Sequence, residues 1–198
     1  MDRAGVTDTN DTRMASRPSV KLEVHVEDWF DAVIPRVHRL PYEPWFKPVL
    51  DRLLALLRQH HVSGTFYVLG ARAFGWPGLA QELAAHGHAL GSHGFYHAPE
   101  EREGDAWDRA TRRLLPACIG YRAPYWQGQV RPGMAGGVFF RLLPYAWLKA
   151  EVQRHGVLYL HPHDLEPRPW HFPEPLRRKV FLCRPWERLE RLLTELEF

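Results

Sequence analysis

Residues 91–97 read Gly-Ser-His-Gly-Phe-Tyr-His. Two imidazoles four positions apart, His93 and His97, can face the same way across one helical turn or a tight loop. Zinc takes imidazole nitrogens and carboxylate oxygens at about 2.0–2.2 Å, and a catalytic site with three protein ligands keeps a position open for water or substrate. A carboxylate from a neighbouring segment, such as Asp28, completes a two-histidine, one-carboxylate set. Asp31 is a lower-ranked alternative because it lies further along the chain. With 12 histidines in 198 residues, the spacing alone is weak. The elements that position the pair have to decide.

Alternating or continuous apolar runs mark strands at 20–26, 63–70, 88–93 and 157–161, and residues 117–124 read as strand, then turn. Helical patterns fall at 48–61, 77–87, 105–115, 138–156 with an interruption near Pro144, and 184–198. Asp105 is a plausible N-cap, and Pro77 and Gly87 bracket the second helix. Strands alternating with helices imply βαβ units and a parallel sheet. Such sheets gather functional groups at the carboxyl ends of their strands. His25, Glu27 and Asp28 end the first strand, His93 the third, Arg122 the fourth and His161 the fifth.

The ordered segments EVHVEDWF, GTFYVLG, GSHGFYH, GYRAPYW and LYLHP resemble the polysaccharide deacetylases with the NodB-homology domain, carbohydrate esterase family 4. VEDWF, with GGVFFRLLPYAWL before LYLHP, looks like the exopolysaccharide-associated branch. The resemblance runs from about residue 20 to 165. It implies a deformed (β/α) barrel and metal-assisted hydrolysis of N-acetyl groups on amino sugars, with a divalent metal, Zn2+ by ligand type, as cofactor. It assigns the metal to Asp28, His93 and His97. It makes His161 the general acid on the leaving amine. It gives Arg122 the task of orienting a catalytic carboxylate, and the backbone after Pro124, at Tyr125, a share in holding the oxyanion.

Two departures stand out. Where the branch has Asp-Val-Glu-Asp-Trp-Phe, this chain has His25-Val26-Glu27-Asp28-Trp29-Phe30. The base position therefore holds His25, a neutral imidazole able to accept a proton, to act as a third ligand, or to mark lost activity. Glu27 is a second candidate base, and Arg122 is expected to lack its usual carboxylate partner. Second, only about ten residues separate YRAPYW from GGVFFRLLPYAW, where the family carries further strands. The expected fold is therefore α/β, a deformed or incomplete barrel with mainly parallel strands, over 19–198 after a disordered leader at 1–18.

Trp29, Tyr125 and Trp126, with Pro124, suit sugar stacking, although packing at the barrel mouth explains aromatics there equally well. His60, His61, His86 and His88 read as helix-end or turn residues, and His163 and Asp164 either line the site or serve as loop or capping residues. A net charge of +3 does not argue for nucleic acid. No run approaches the ~20 apolar residues of a membrane span, and the N-terminus has no signal-peptide core, so a cytoplasmic location is expected. Two cysteines make no disulfide framework. The expected function is metal-dependent deacetylation of an N-acetylated glycan. The alternatives are a metal-containing glycan-binding relative without turnover, or a hydrolase of a small non-peptide amide.

Overall fold

A computed structural model describes residues 19–28, 31, 47–166 and 183–198. The leader expected at 1–18, and Trp29, lie outside the described residues.

Strand β1 (Lys21–Val26) is paired on both sides. Parallel to it run β2 (Thr65–Val68) and β4 (Val157–Leu160), and β2 in turn carries β3 (Ala89–Ser92), giving the order β3-β2-β1-β4. All four strands are parallel, so helices must make the crossovers. The connections carry α1 (Lys47–Gln59), α2 (Gly70–Gly75), α3 (Leu79–Ala85), α4 (Ala106–Leu114), α5 (Val138–Leu142) and α6 (Tyr145–His155), and α7 (Pro185–Glu195) follows β4. Leu50, Leu53, Leu54 and Leu57 form the buried stripe of α1 against Leu22, Val24 and Val26 of β1 in one core. Each such side chain contributes roughly 1.5–3 kcal/mol on burial. The core lies on one side of the sheet's central strand, and the polar set described below lies on the other.

The expected helices are present, and Asp105 caps α4 by accepting from Asp108 N at 2.7 Å. Pro144 does divide the 138–156 stretch, into α5 and α6. The second strand, expected over 63–70, is shorter, Thr65–Val68, because the chain turns into α2 at Gly70, an element that the sequence pattern does not signal. The strand expected over 117–124 is reduced to one bridge, Tyr121 with Ser92. Backbone bonds from Ile119 N to Leu90 O and from Arg122 N to Ser92 O tie it to β3. Left-handed Ala117 before it and the turn at Pro124 after it leave no room for a longer ladder. A second bridge joins Gly136 to Tyr159 on the opposite edge. A Cβ at Gly136 would lie 1.8 Å from the Tyr159 carbonyl oxygen, so only glycine permits this approach. The expected α/β architecture thus takes the form of a four-stranded parallel sheet with one bridge on each edge.

Candidate active site

Side chains on a strand alternate between faces. With Leu22, Val24 and Val26 in the core, Glu23, His25 and Glu27 share the other face, at the carboxyl end of the central strand. The Glu27 carboxylate is buried among three imidazoles. Its Oε2 lies 2.9 Å from His97 Nε2 and 3.3 Å from His93 Nε2, and its Oε1 lies 3.4 Å from His161 Nε2. Burial alone would raise its pKa, but His97, His93 and His161 hold it well below the ordinary carboxylate range.

This corrects the assignment of Asp28. Glu27, His93 and His97 bring their ligand atoms within 4.8 Å of one another, and Asp28 is not in that group. One residue along, Asp28 feels chiefly the charges of Arg72, Asp31 and Glu166, with Glu27 last. Burial pushes its carboxyl up to about 7. Asp31 is not a ligand candidate either, since it forms a buried ion pair with Arg72 at 2.6 Å. Glu27 is therefore a ligand candidate rather than a base.

The histidine pair is locked by its loop. His93 Nδ1 lies 2.7 Å from the Arg122 carbonyl oxygen. Donation there leaves the Nε2 lone pair aimed at Glu27, the usual way a neighbouring group fixes a ligating imidazole. Glu101, almost fully buried, accepts from Phe95 N and Tyr96 N at 2.9 Å each. Gly70 N and Thr111 Oγ1 donate to Gly94 O, and Ala71 N donates to Phe95 O. His97 itself sits at φ 58, a conformation that non-glycine residues adopt only when their surroundings impose it. Glu101 and Thr111 were not anticipated. Their only sequence trace is an acid and a hydroxyl downstream of the motif, in an otherwise ordinary polar helix start.

His161 accompanies the cluster from the end of β4. Asp164 Oδ2 accepts from the His161 main-chain N at 2.8 Å and lies 2.9 Å from its Nδ1. Burial would lower the His161 pKa, but the charge and hydrogen bond of Asp164, with Glu27, hold it above the usual value. Asp164 therefore orients the imidazole and is more than a loop residue. His25 lies between the two groups, with ring centroids 4.6 Å from His93 and 5.1 Å from His161. Burial, and then His93 and His161, push its pKa well below the ordinary value despite Glu27, so it is neutral. Its Nε2 has no hydrogen-bond partner among the described residues, and it does not join the ligand group.

Arg122 is not left without a carboxylate. Its Nη2 meets Glu23 Oε1 at 2.5 Å, and its guanidinium lies over Tyr67 and Trp126 at 5.1 and 4.5 Å from their ring centroids. The acid that pairs with Arg122 stands two residues earlier on β1 than the resemblance implies. Pro124, Tyr125 and Trp126 form a 3-10 turn in which Tyr125 and Trp126 both have positive φ. Their rings lie 4.5 Å from His97 and 5.4 Å from His25, respectively. Tyr125 and Trp126 line a cavity of about 450 Å³ with His25, Glu27, His93, His97 and His161, whereas Pro124, buried in the turn, is not among the lining residues.

The donors fit a divalent cation. Glu27 Oε2, His93 Nε2 and His97 Nε2 are buried against one another, and their convergence is the nitrogen-and-oxygen set that zinc accepts. A second group, His161, His163 and Asp164, also lies within 4.8 Å, but Asp164 Oδ2 is already engaged by His161.

A parallel sheet with buried imidazoles and one carboxylate converging at its strand ends defines an α/β protein with a candidate metal-ligand cluster. The polysaccharide deacetylase family profile matches residues 35–113, which include His93 and His97. A 46-residue stretch, 23% of this chain and 17% of the relative, is 37% identical to a peptidoglycan-N-acetylglucosamine deacetylase of Bacillus cereus. Another, of 56 residues, is 36% identical to a peptidoglycan-N-acetylmuramic acid deacetylase of Bacillus subtilis and covers 28% of this chain and 20% of that protein. The aligned stretches thus span a fifth or less of these curated relatives. In fold, the chain is similar to a peptidoglycan N-acetylglucosamine deacetylase, with TM-score 0.53, 18% identity, and coverage of 91% and 84% of the two chains. It is also similar to a family 4 pseudoenzyme from Bacillus anthracis, with TM-score 0.52, 13% identity, and coverage of 92% and 63%. Part of this chain is thus similar to polysaccharide deacetylases, and its fold is shared with solved structures of such enzymes.

Proposed function

We propose that this protein is a divalent-metal-dependent hydrolase that removes N-acetyl groups from an amino-sugar glycan. The observation that carries the reading is the meeting of Glu27, His93 and His97, whose ligand atoms lie within 4.8 Å of one another, flanked by His25 and His161. When bound by those three residues, a divalent ion supplies polarisation of the amide carbonyl and lowers the pKa of a water molecule toward ~7. His25, neutral and with an unengaged Nε2, takes the proton from the attacking water. His161, held by Asp164, delivers a proton to the departing nitrogen, so that amide and water become amine and acetate. The main-chain N–H of Tyr125, a residue lining the cavity, serves as donor to the developing oxyanion, worth roughly 3 kcal/mol. Tyr125, half-exposed beside His97, and Trp126 offer faces to a sugar ring. Zinc suits two imidazoles and a carboxylate.

The test is a metal titration by calorimetry, paired with measurement of acetate released from N-acetylglucosamine oligomers. One equivalent of zinc or cobalt bound, and acetate release lost in His161→Ala with metal retained, is the expected result. No binding of either ion overturns the reading. The presence of His25 where the resemblance implies aspartate favours a second reading, a glycan-binding relative without turnover. Stoichiometric metal and measurable glycan binding with no acetate or ammonia released would establish it. Ammonia in place of acetate would point to a small-amide hydrolase. Among the described residues no helix is long and apolar enough to cross a membrane.

A further inference from the structure

The cavity contains a cation that the reaction above does not use. Arg131 lines it on the side of Tyr159. Its Nε and Nη2 donate to Tyr159 Oη at 3.2 and 2.9 Å, and its guanidinium lies 5.5 Å from the Phe139 ring centroid. Both bonds use the same edge of the guanidinium. The Nη1–Nη2 edge, which has the spacing of a carboxylate's two oxygens, has no partner among the described residues.

Most of the other arginines that make side-chain contacts reach an acid. Arg72 pairs with Asp31, Arg112 with Asp108, Arg122 with Glu23 and Arg191 with Glu195. Arg131 meets only a phenol and two aromatic rings, and has no carboxylate partner among the described residues. Glu27 is the one carboxylate among the residues lining the cavity, and three imidazoles already claim it. Arg131 is itself exposed, so it stands where solvent reaches the cavity, and a planar cation pinned there by a phenol, facing no free anion among the described residues, attracts a negative group arriving from outside. Its position is also informative. The Tyr159 ring that carries Arg131 lies 6.0 Å from His25 and 6.1 Å from His161, centroid to centroid. The open guanidinium edge therefore lies one aromatic ring beyond the two groups that flank the reacting amide.

We infer that the cavity takes an N-acetylated amino sugar carrying a carboxylate near its acetamido group, and that Arg131 receives that carboxylate end-on. This rests on the deacetylase reading for the reaction and adds the substrate's charge. The carboxylate can belong to the reacting sugar, as an acidic ether substituent, or to a neighbouring uronic acid. The shared chemistry is the anion.

The experiment compares kcat/KM for three oligomers: neutral N-acetylglucosamine, one containing N-acetylmuramate, and one alternating N-acetylglucosamine with glucuronate. Wild type is expected to prefer at least one carboxylated oligomer over the neutral one by tenfold or more, and the preferred one identifies the source of the anion. In Arg131→Met that ratio falls at least tenfold, through KM. Arg131→Lys, which keeps charge but not the fork, retains part of it, and circular dichroism and zinc stoichiometry check that both variants fold. Equal kcat/KM in wild type, or a ratio unchanged in Arg131→Met, overturns the inference and leaves deacetylation standing. If no oligomer is hydrolysed, calorimetric binding decides. Tighter binding of a carboxylated oligomer, lost in Arg131→Met, upholds the inference while the deacetylase reading falls, and equal binding ends both.

Discussion

Replacing Glu101 with alanine tests whether the histidine pair is positioned before any ligand arrives. The carboxylate accepts two consecutive main-chain amides, Phe95 N and Tyr96 N, at 2.9 Å each. Orphaning a buried donor costs about 1–3 kcal/mol. Phe95 and Tyr96 are only half-buried, so water recovers part of this loss. Burial also raises the Glu101 pKa, against the pull of the Tyr96, Phe95 and Ala98 amides, so removing the acid returns some desolvation cost. The net loss comes to about 2 kcal/mol. For a chain of this size that lowers Tm by roughly 4–8 °C. The released loop no longer presets the His93–His97 geometry, and zinc affinity should fall by about 10- to 100-fold, as when a ligand's supporting group is removed. Thermal melting and competition with a chromogenic chelator read the two effects, and Glu101→Gln, which can still accept from one amide, should fall between. A Tm within a degree of wild type together with unchanged zinc affinity would refute the clamp.

Glu27→Ala should abolish stoichiometric zinc binding in calorimetry, whereas Asp28→Asn should keep it, because only Glu27 faces the imidazoles. Asp164→Asn should lower kcat by about 10- to 100-fold, part of what a positioned acid supplies, while zinc still binds with one-to-one stoichiometry. His88 is held neutral chiefly by burial, with His86 adding to it, and its pKa is lowered to about 4. Its Nδ1 accepts from Gly64 N. Its contribution to stability is therefore complete above pH 6.5 and is lost as pH falls toward 4, and His88→Gln should flatten that part of a stability-against-pH curve measured by urea unfolding. Gly136→Ala places a methyl 1.8 Å from the Tyr159 carbonyl and should cost about 1–3 kcal/mol by the same unfolding measurement.

Much of this molecule is written in local pattern. The apolar stripe of α1, the break at Pro144 and the cap at Asp105 follow from periodicity and backbone chemistry, and the helices appear where those signals fall. His93, His97 and His161 were legible because parallel strands deliver their ends to one place. Asp28 was misread because the resemblance to a motif outweighed strand alternation, which from His25 points to Glu27. The partner of Arg122 was missed for the opposite reason. Glu23 lies inside the strand, where an acid reads as a solvent-facing residue, yet it is buried against a guanidinium. Glu101 and Arg131 act through contacts with main chain and with a phenol across the fold. No spacing rule announces such contacts.

The two-sided pairing of β1 has a consequence for how this protein can vary. Its odd-numbered positions carry the polar groups and its even-numbered positions the hydrocarbon, and both neighbours fix its register. An exchange at position 25 changes one chemical function and leaves the rest in place. Inserting or deleting one residue just upstream would reverse the parity, turning valines toward the cavity and acids into hydrocarbon. Drift in this lineage should therefore proceed by swapping letters within β1, with length changes confined to the loops.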